Sequence, residues 1–391
     1  MNASLVVFLK EVRENLRDKR TLINALVTGP LIAPLMFVMI MNVVISRQLN
    51  QAEAPLELPV IGASNAPSLL EALRRQDFDP QPPVADPIAA VRNRDAAAVL
   101  RIPTDFGKSW DKGDPAQVEL YYDSSRRDMQ QPVNRLQDML ERYSRLNGAM
   151  RLVARGLSPA LANPVVIDKR DQSTPRSRAG ALFSILPYFF VLTVFIGGMY
   201  LAIDLTAGER ERQSLEPLFA NPVPRWRILL GKIGAICVFS VSSLLVCVTA
   251  FTVAGRLIPT EKLGMDLGLG PAFALEVVVL MLPLVLLFAA LQTLVAAFSR
   301  SYREAQTYLG ILMLVPALPS VLLSVSPVKT VPWMYAAPLL SQQVGITELL
   351  TGGSVTAAQT VTCLLCGFVI AALMLAVTAR VYGSERLAIS V

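Results

Sequence analysis

The stretch Gly208–Lys232, GERERQSLEPLFANPVPRWRILLGK, decides how this chain is read. It is the longest charged island of the C-terminal half, lying between the apolar runs Ala181–Ile203 and Ile228–Ala254. Charges alternate in sign at Glu209, Arg210, Glu211 and Arg212, and Leu215, Leu218 and Phe219 then recur at i, i+3, i+4, which predicts one apolar helix face. Asn221-Pro-Val-Pro ends that helix, because proline removes a backbone donor and pushes the preceding residue out of the α region. Trp226 with Arg225, Arg227 and Lys232 reads as an interfacial anchor for the following span. Two readings stand for the island: a solvated basic loop, or a surface built to dock on another protein.

Working outward, the 391 residues are 53% hydrophobic with mean hydropathy +0.47, which excludes an ordinary soluble globule. About 20 apolar residues cross the hydrocarbon core of a bilayer. Windows of that length occur at Leu22–Ile45, Ala181–Ile203, Ile228–Ala254, Pro271–Phe298, Tyr308–Val325 and Gln359–Val381. The expectation is therefore an α-helical polytopic membrane protein with six transmembrane helices. A small α+β extracytoplasmic domain, residues 46–178, is inserted between helices 1 and 2. An amphipathic interfacial helix (1–21) precedes helix 1 (22–45), and helices 2–6 occupy 179–391. Within the latter lie a cytoplasmic segment (204–227) and an outer re-entrant or loop segment (326–358). A cleaved signal peptide is rejected, because the charged leader is too long and the apolar run exceeds an h-region of about 7–15 residues.

The insert predicts strands at Leu56–Ala63, Ala97–Ile102, Val118–Tyr122 and Val165–Asp168, and short helices at Pro67–Gln76 and Pro87–Asn93. A long amphipathic helix, Met129–Arg155, carries Val133, Leu136, Met139, Leu140, Tyr143 and Leu146 on one stripe. With nineteen basic and seventeen acidic residues, its charge names no ligand; a binding role and a spacer role both remain open. The net charge of +6 sits beside span ends rather than in a basic stripe interleaved with aromatics, so a nucleic-acid partner is not expected. Orientation follows from lysine and arginine placement: fourteen fall on the side that holds both termini and three in the two short loops opposite. Both termini are therefore expected inside the cell, in a bacterial inner membrane.

There is no histidine, which removes histidine-based triads, metal sites and proton relays. Cys363 and Cys366 form a Cys-x-x-Cys pair inside an apolar run, where small packing residues are the expected role. No Walker A loop is present: Gly107-Lys108-Ser109 lacks the first glycine, with Ile102 in its place, and Gly231-Lys232 is followed by Ile233. This chain is thus not expected to bind ATP itself, nor to carry a cofactor or a catalytic or metal site; if it moves solute uphill, a partner must bind ATP and magnesium and supply hydrolysis. Glu276, early in the fourth span, and Gln292, deeper in it, are candidates for a solute path; the competing readings are outer headgroups for Glu276 and a bond across helices for Gln292.

The island resembles the coupling-helix segment of type-2 ABC exporter permeases, nearest to the sodium-efflux (Nat-type) and related drug-export permeases. The resemblance rests on acidic-Arg-acidic-Arg, Ser-Leu-Glu, Leu-Phe-Ala-Asn-Pro-Val and Leu-Leu-Gly-Lys; Pro217 inside the helix and Asn221 before the proline depart from it. KEVRENLRDKRTL (10–22) is similar to the elbow helix of that family, and APLLSQQVGITELLTGG (337–353) to its outer re-entrant helices. The resemblance implies a permease subunit that moves an ion, drug or lipid-like solute out of the cytoplasm. An ABC ATPase subunit would dock on Glu209, Arg210, Glu211, Arg212, Leu215, Leu218 and Phe219, with Glu209 and Glu211 pairing its basic residues. Gln342, Gln343 and Glu348 would stand at an outer gate. A second permease copy or paralogue and a second ATPase would complete the assembly in the lipid membrane. The competing reading is a receptor or mechanotransmission subunit whose outer domain the ATPase moves.

Overall fold

A computed structural model describes residues 3–383 except 54–55, 127–128, 163–169, 171, 215–216, 218–221, 259, 261–263 and 326–328. The chain divides into two compact units: residues 1–45 with 172–391, and residues 46–171.

The first unit is helical. It comprises α1 (Ala3–Asn15), α2 (Lys19–Ile23), a π-helical turn (Asn24–Thr28) and α3 (Gly29–Glu53), whose C-terminal end enters the second unit. After the insert come α8 (Pro175–Leu182), α9 (Leu186–Ile203), a second π turn (Asp204–Gly208) and α10 (Glu209–Glu211). The remaining elements are α11 (Arg225–Leu257), α12 (Pro271–Phe298), α13 (Tyr302–Leu312), α14 (Ala317–Val325), α15 (Leu340–Leu350) and α16 (Ala357–Tyr382). Among the described residues, five segments are long and apolar enough to cross a membrane: Asn24–Ser46, Leu186–Glu211, Arg225–Leu257, Pro271–Phe298 and Ala357–Tyr382.

The sixth expected span, Tyr308–Val325, is not one continuous helix. It is split into α13 and α14, with tight i→i+3 bonds such as Val315 N–H to Leu312 O (3.0 Å) between them. Pro316 and Pro319 supply the cause, since neither has an N–H to continue the ladder. Gln343 of α15 clasps the start of α14: its Nε2 donates to Pro316 O at 2.9 Å, and its Oε1 accepts from Ser320 Oγ at 2.8 Å.

Helix α9 is the most enclosed of the five spans, and small residues let its neighbours approach closely. A Cβ on Gly197 would lie 2.5 Å from Ser243 Oγ of α11, and one on Gly198 2.5 Å from Ser240 Oγ. Polar side chains bind helix to helix inside this packing. Gln292 Nε2 of α12 donates to Phe195 O of α9 (2.7 Å), Thr378 Oγ1 of α16 to Ala290 O of α12 (3.1 Å), and Ser243 Oγ to Ala25 O of the first π turn. Phe37, Phe190 and Phe251 interlock edge to face, with Phe37 and Phe251 centroids 5.7 Å apart.

The second unit carries β1 (Leu56–Ile61), α4 (Pro67–Arg74), β2 (Phe78–Gln81), α5 (Pro87–Arg92), β3 (Ala98–Arg101), α6 (Phe106–Lys112), β4 (Glu119–Tyr122) and α7 (Gln130–Ala154). The sheet order is β2-β1-β3-β4, with β1 parallel to β2 and β3, and β4 antiparallel to β3. Pro59 is tolerated in the central strand because β1 changes neighbours there: Leu56–Pro59 pair with β2, Val60 and Ile61 with β3. One face of the sheet packs Leu58, Val60 and Leu100 on Leu69 and Leu73 of α4 and Leu136 of α7; the other packs Val99 on Ala90 and Val91 of α5. Strand β2 and helix α6 are additions to the sequence expectation. Phe78-Asp-Pro-Gln reads as a turn, and α6 is too short to show a period beyond Phe106 and Trp110. The expected strand Val165–Asp168 lies outside the described residues.

Gly62, at φ +79°, turns the chain out of β1, and a Cβ there would lie 2.2 Å from Ile102 O. Gly62→Ala is expected to destabilise the insert by about 2 kcal/mol or more, from left-handed strain plus the clash. Gly148→Ala, with open space around a helical position, should be neutral or gain roughly 0.5–1 kcal/mol. Limited proteolysis of membrane-embedded protein checks this: faster cleavage within 56–154 for the first variant only.

Candidate functional site

The charged island begins where the apolar length of α9 runs out. Its π turn and α10 are followed by Gln213 at φ +57°, a turn closed by Ser214 N–H to Glu209 O at 2.9 Å. Each of the four alternating charges is held within the chain. Glu209, 8% exposed, forms an ion pair with Lys232 of α11, which is 0% exposed and also donates to Leu205 O at 2.8 Å. Arg210 reaches Ala297 O and Ser299 O at the end of α12, both at 3.4 Å. The Glu211 carboxylate accepts from the Tyr302 N–H at the start of α13 (2.8 Å). Arg212 turns back to Asp204 Oδ1 in its own π turn (2.9 Å).

Two expectations change as a result. Glu209 was expected to face a partner protein; it faces inward and holds the segment to α11. Lys232 was expected at the interface with Arg225 and Arg227; it is fully buried, with its ammonium 5.8 Å from the Tyr382 ring centroid of α16. The reason is electrostatic. A buried ammonium is tolerated only when a counter-charge and further acceptors surround it, and Glu209, Leu205 O and Tyr382 supply them. The signal available in the sequence was one acid and one base at facing ends of consecutive antiparallel apolar runs. Glu211 and Arg212 remain exposed, and Leu215, Leu218 and Phe219 lie outside the described residues.

Helix α1 completes the surroundings. It packs on α11 where two glycines remove bulk: a Cβ on Gly231 would meet Ser4 O at 2.7 Å, and one on Gly234 would lie 3.1 Å from the Phe8 ring. Glu11 is buried on this side, with Lys10 Nζ 3.1 Å from its carboxylate and Asn15 Nδ2 donating to its backbone carbonyl. Loss of water raises the Glu11 pKa above the usual carboxylate value, with Lys10 opposing.

The candidates near the other end of the spans are also placed. Gln342 and Gln343 of α15 are buried, whereas Glu276 is exposed on α12. Gln342 Oε1 accepts from Leu339 N–H (2.8 Å), steadying Leu339 at φ +72°, and its Nε2 points to Cys363 Sγ at 3.4 Å. Cys363 thus serves the polar packing of α15 on α16, and it is a free thiol. Glu348 accepts a hydrogen bond from Tyr335 Oη. Gln292 is buried, its Nε2 binding α12 to α9. Among the described residues no cluster of three potential metal ligands occurs.

Gly231→Ala is expected to push α1 off α11, because the obstacle is a backbone carbonyl that cannot rotate away. Trypsin cleavage at Arg13 or Arg17 should accelerate in the variant in membranes, and an unchanged cleavage rate would contradict the close packing.

The comparisons with known proteins agree with this architecture. A model of the ABC-2 family transporter proteins matches residues 19–378. The chain is 26% identical over 318 residues to the ABC transporter permease protein NatB of Bacillus subtilis (strain 168), an alignment covering 80% of each chain. A match reaching from α2 to the last turns of α16, on a multi-pass helical unit, makes this chain a member of the ABC-2 family of transporter proteins, a membrane permease of the ABC class.

Proposed function

We propose that the chain is the membrane-spanning subunit of an ATP-driven exporter, coupled to a separate ABC ATPase through the segment 208–220. The observation that carries the proposal is the bracing of Glu209, Arg210, Glu211 and Arg212 against α11, the end of α12, the start of α13 and the second π turn. A segment tied at once to several helices passes a push on its tip to all of them. Leu215, Leu218 and Phe219, which follow the brace, would form the face that meets the ATPase, with Glu211 and Arg212 at its exposed rim.

Hydrolysis and magnesium belong to the partner in this reading. A closed ATP sandwich takes two ATPase halves, so two permease chains, identical or paralogous, would assemble with two ATPases. The α13–α14 pair would complete six crossings as a broken helix, with Pro316 O bonded by Gln343; non-helical backbone at membrane depth is tolerated where protein covers it. Six crossings would place both termini and the island in the cytoplasm and residues 46–171 outside, in a bacterial inner membrane. Gln342, Gln343 and Glu348 would then hold an outer gate around α15, with Glu276 at the headgroup level. The solute is an ion, a drug or a lipid-like molecule moved outward.

The test is co-purification with its ABC ATPase after Leu215→Ser, Leu218→Ser and Phe219→Ser together. The variant should insert normally yet lose most of the bound ATPase, because an apolar anchor of three such residues is worth several kcal/mol, at about 1.5–3 kcal/mol for each fully buried side chain. Glu57→Gln, an exposed acid of the insert, should leave the ATPase bound. Wild-type retention by the triple variant would overturn the docking assignment.

A further inference from the structure

Helix α7 does two different things along its length. Its N-terminal half buries Val133, Leu136 and Met139 in the core of the sheet unit. Beyond Tyr143 the helix is held on one side only: Arg151 stacks over Trp110 at 4.3 Å and donates to Trp110 O at 2.8 Å. The side turned away from Trp110 carries Leu146, Met150 and Val153, at i, i+4 and i+7, exposed by 62%, 62% and 60%. Gly156, at φ +75°, closes the helix, with Leu157 N–H bonded to Leu152 O and Gly156 N–H to Val153 O, and the exposed Leu157 and Leu161 extend the apolar surface beyond it.

The charge around this surface has one sign. From Arg142 to Ile167 there are four arginines and no acidic residue, whereas Asp138 and Glu141 end the preceding, core-bound half. Arg142 lies in line with Leu146 one turn earlier and is exposed, as is Arg145. The chain rejoins the membrane unit at Gln172, and the stretch from Leu161 to there reaches at most about 40 Å when fully extended.

We propose that the C-terminal half of α7, with Leu157 and Leu161, is an interfacial element that seats the sheet unit on a lipid surface bearing anionic headgroups. Leucine, methionine and valine enter the boundary between headgroups and acyl chains, and Arg142 and Arg145 reach phosphates beside them. Self-association of two copies through the same stripe is disfavoured, because it would bring the arginines of both copies together with no acid between them. The proposal goes beyond the permease reading and is independent of ATPase docking and of which side of the membrane the unit occupies.

The test uses the full chain, with Cys237, Cys247, Cys363 and Cys366 replaced by Ala, reconstituted in phosphatidylcholine vesicles with and without phosphatidylglycerol. Single cysteines at Leu146, Met150 and Val153 carry nitroxide labels, and one at the exposed Lys112 is the control. In phosphatidylglycerol vesicles, the ratio of oxygen to nickel-chelate accessibility should rise several-fold at the three stripe positions over the control. It should fall back in neutral vesicles or with Arg142→Gln plus Arg145→Gln. Labels open to the nickel chelate would overturn the proposal, showing a solvated face. Labels shielded from both reagents would overturn it in favour of a protein partner or second copy. Equal oxygen exposure in both lipids would overturn the assignment to anionic headgroups.

Discussion

The pairing of Glu209 with Lys232 is the interaction on which the membrane unit's cytoplasm-facing end, as proposed, depends. Two charges taken out of water are expensive, and they are stable only together. Their union fixes how α10 leaves α9 and how α11 begins. Tyr382 brings the last helix to the same point, and α1 closes over it through Gly231 and Gly234. Arg210 and Glu211 extend the tie to the α12–α13 connection. An apolar substitute for the pair would pack, but it would not select this one arrangement among the many that slide apolar helices past each other.

A second constraint governs the opposite problem, backbone that cannot be helical yet has no water to bond. Pro316 and Pro319 break the stretch expected to be one span, and Gln343 supplies a donor and an acceptor to it from α15. The side chains suggested by sequence for a gate are therefore the ones that hold irregular backbone together.

Much of this was legible in the sequence. Membrane-length apolar runs announce themselves because hydrocarbon thickness sets their length, and five of the six read this way overlap the long apolar helices found among the described residues. Strands β1, β3 and β4 and helices α4, α5 and α7 of the insert follow from period and punctuation. What was hidden depends on the third dimension. Lys232 looks like any basic residue at a span end until Glu209 is folded against it. Gln292 is open in the sequence between a path and a cross-helix bond, and only the fold supplies Phe195 O as the partner of its Nε2. Strand β2 is hidden because Asp79-Pro80 is turn chemistry that the parallel ladder to β1 overrides.

The most direct test of the account is a double-mutant cycle on the pair, read as the thermal unfolding midpoint of purified permease in detergent. Glu209→Gln and Lys232→Met would each be measured alone and together. The account predicts that each single change lowers the midpoint strongly, because the remaining charge is left buried at a cost of about 3–5 kcal/mol. The double variant should recover most of that loss, giving a coupling between the two positions at least as large as either single loss. Additive losses, with the double variant lower than either single, would contradict a buried pair and return Glu209 to a solvated loop.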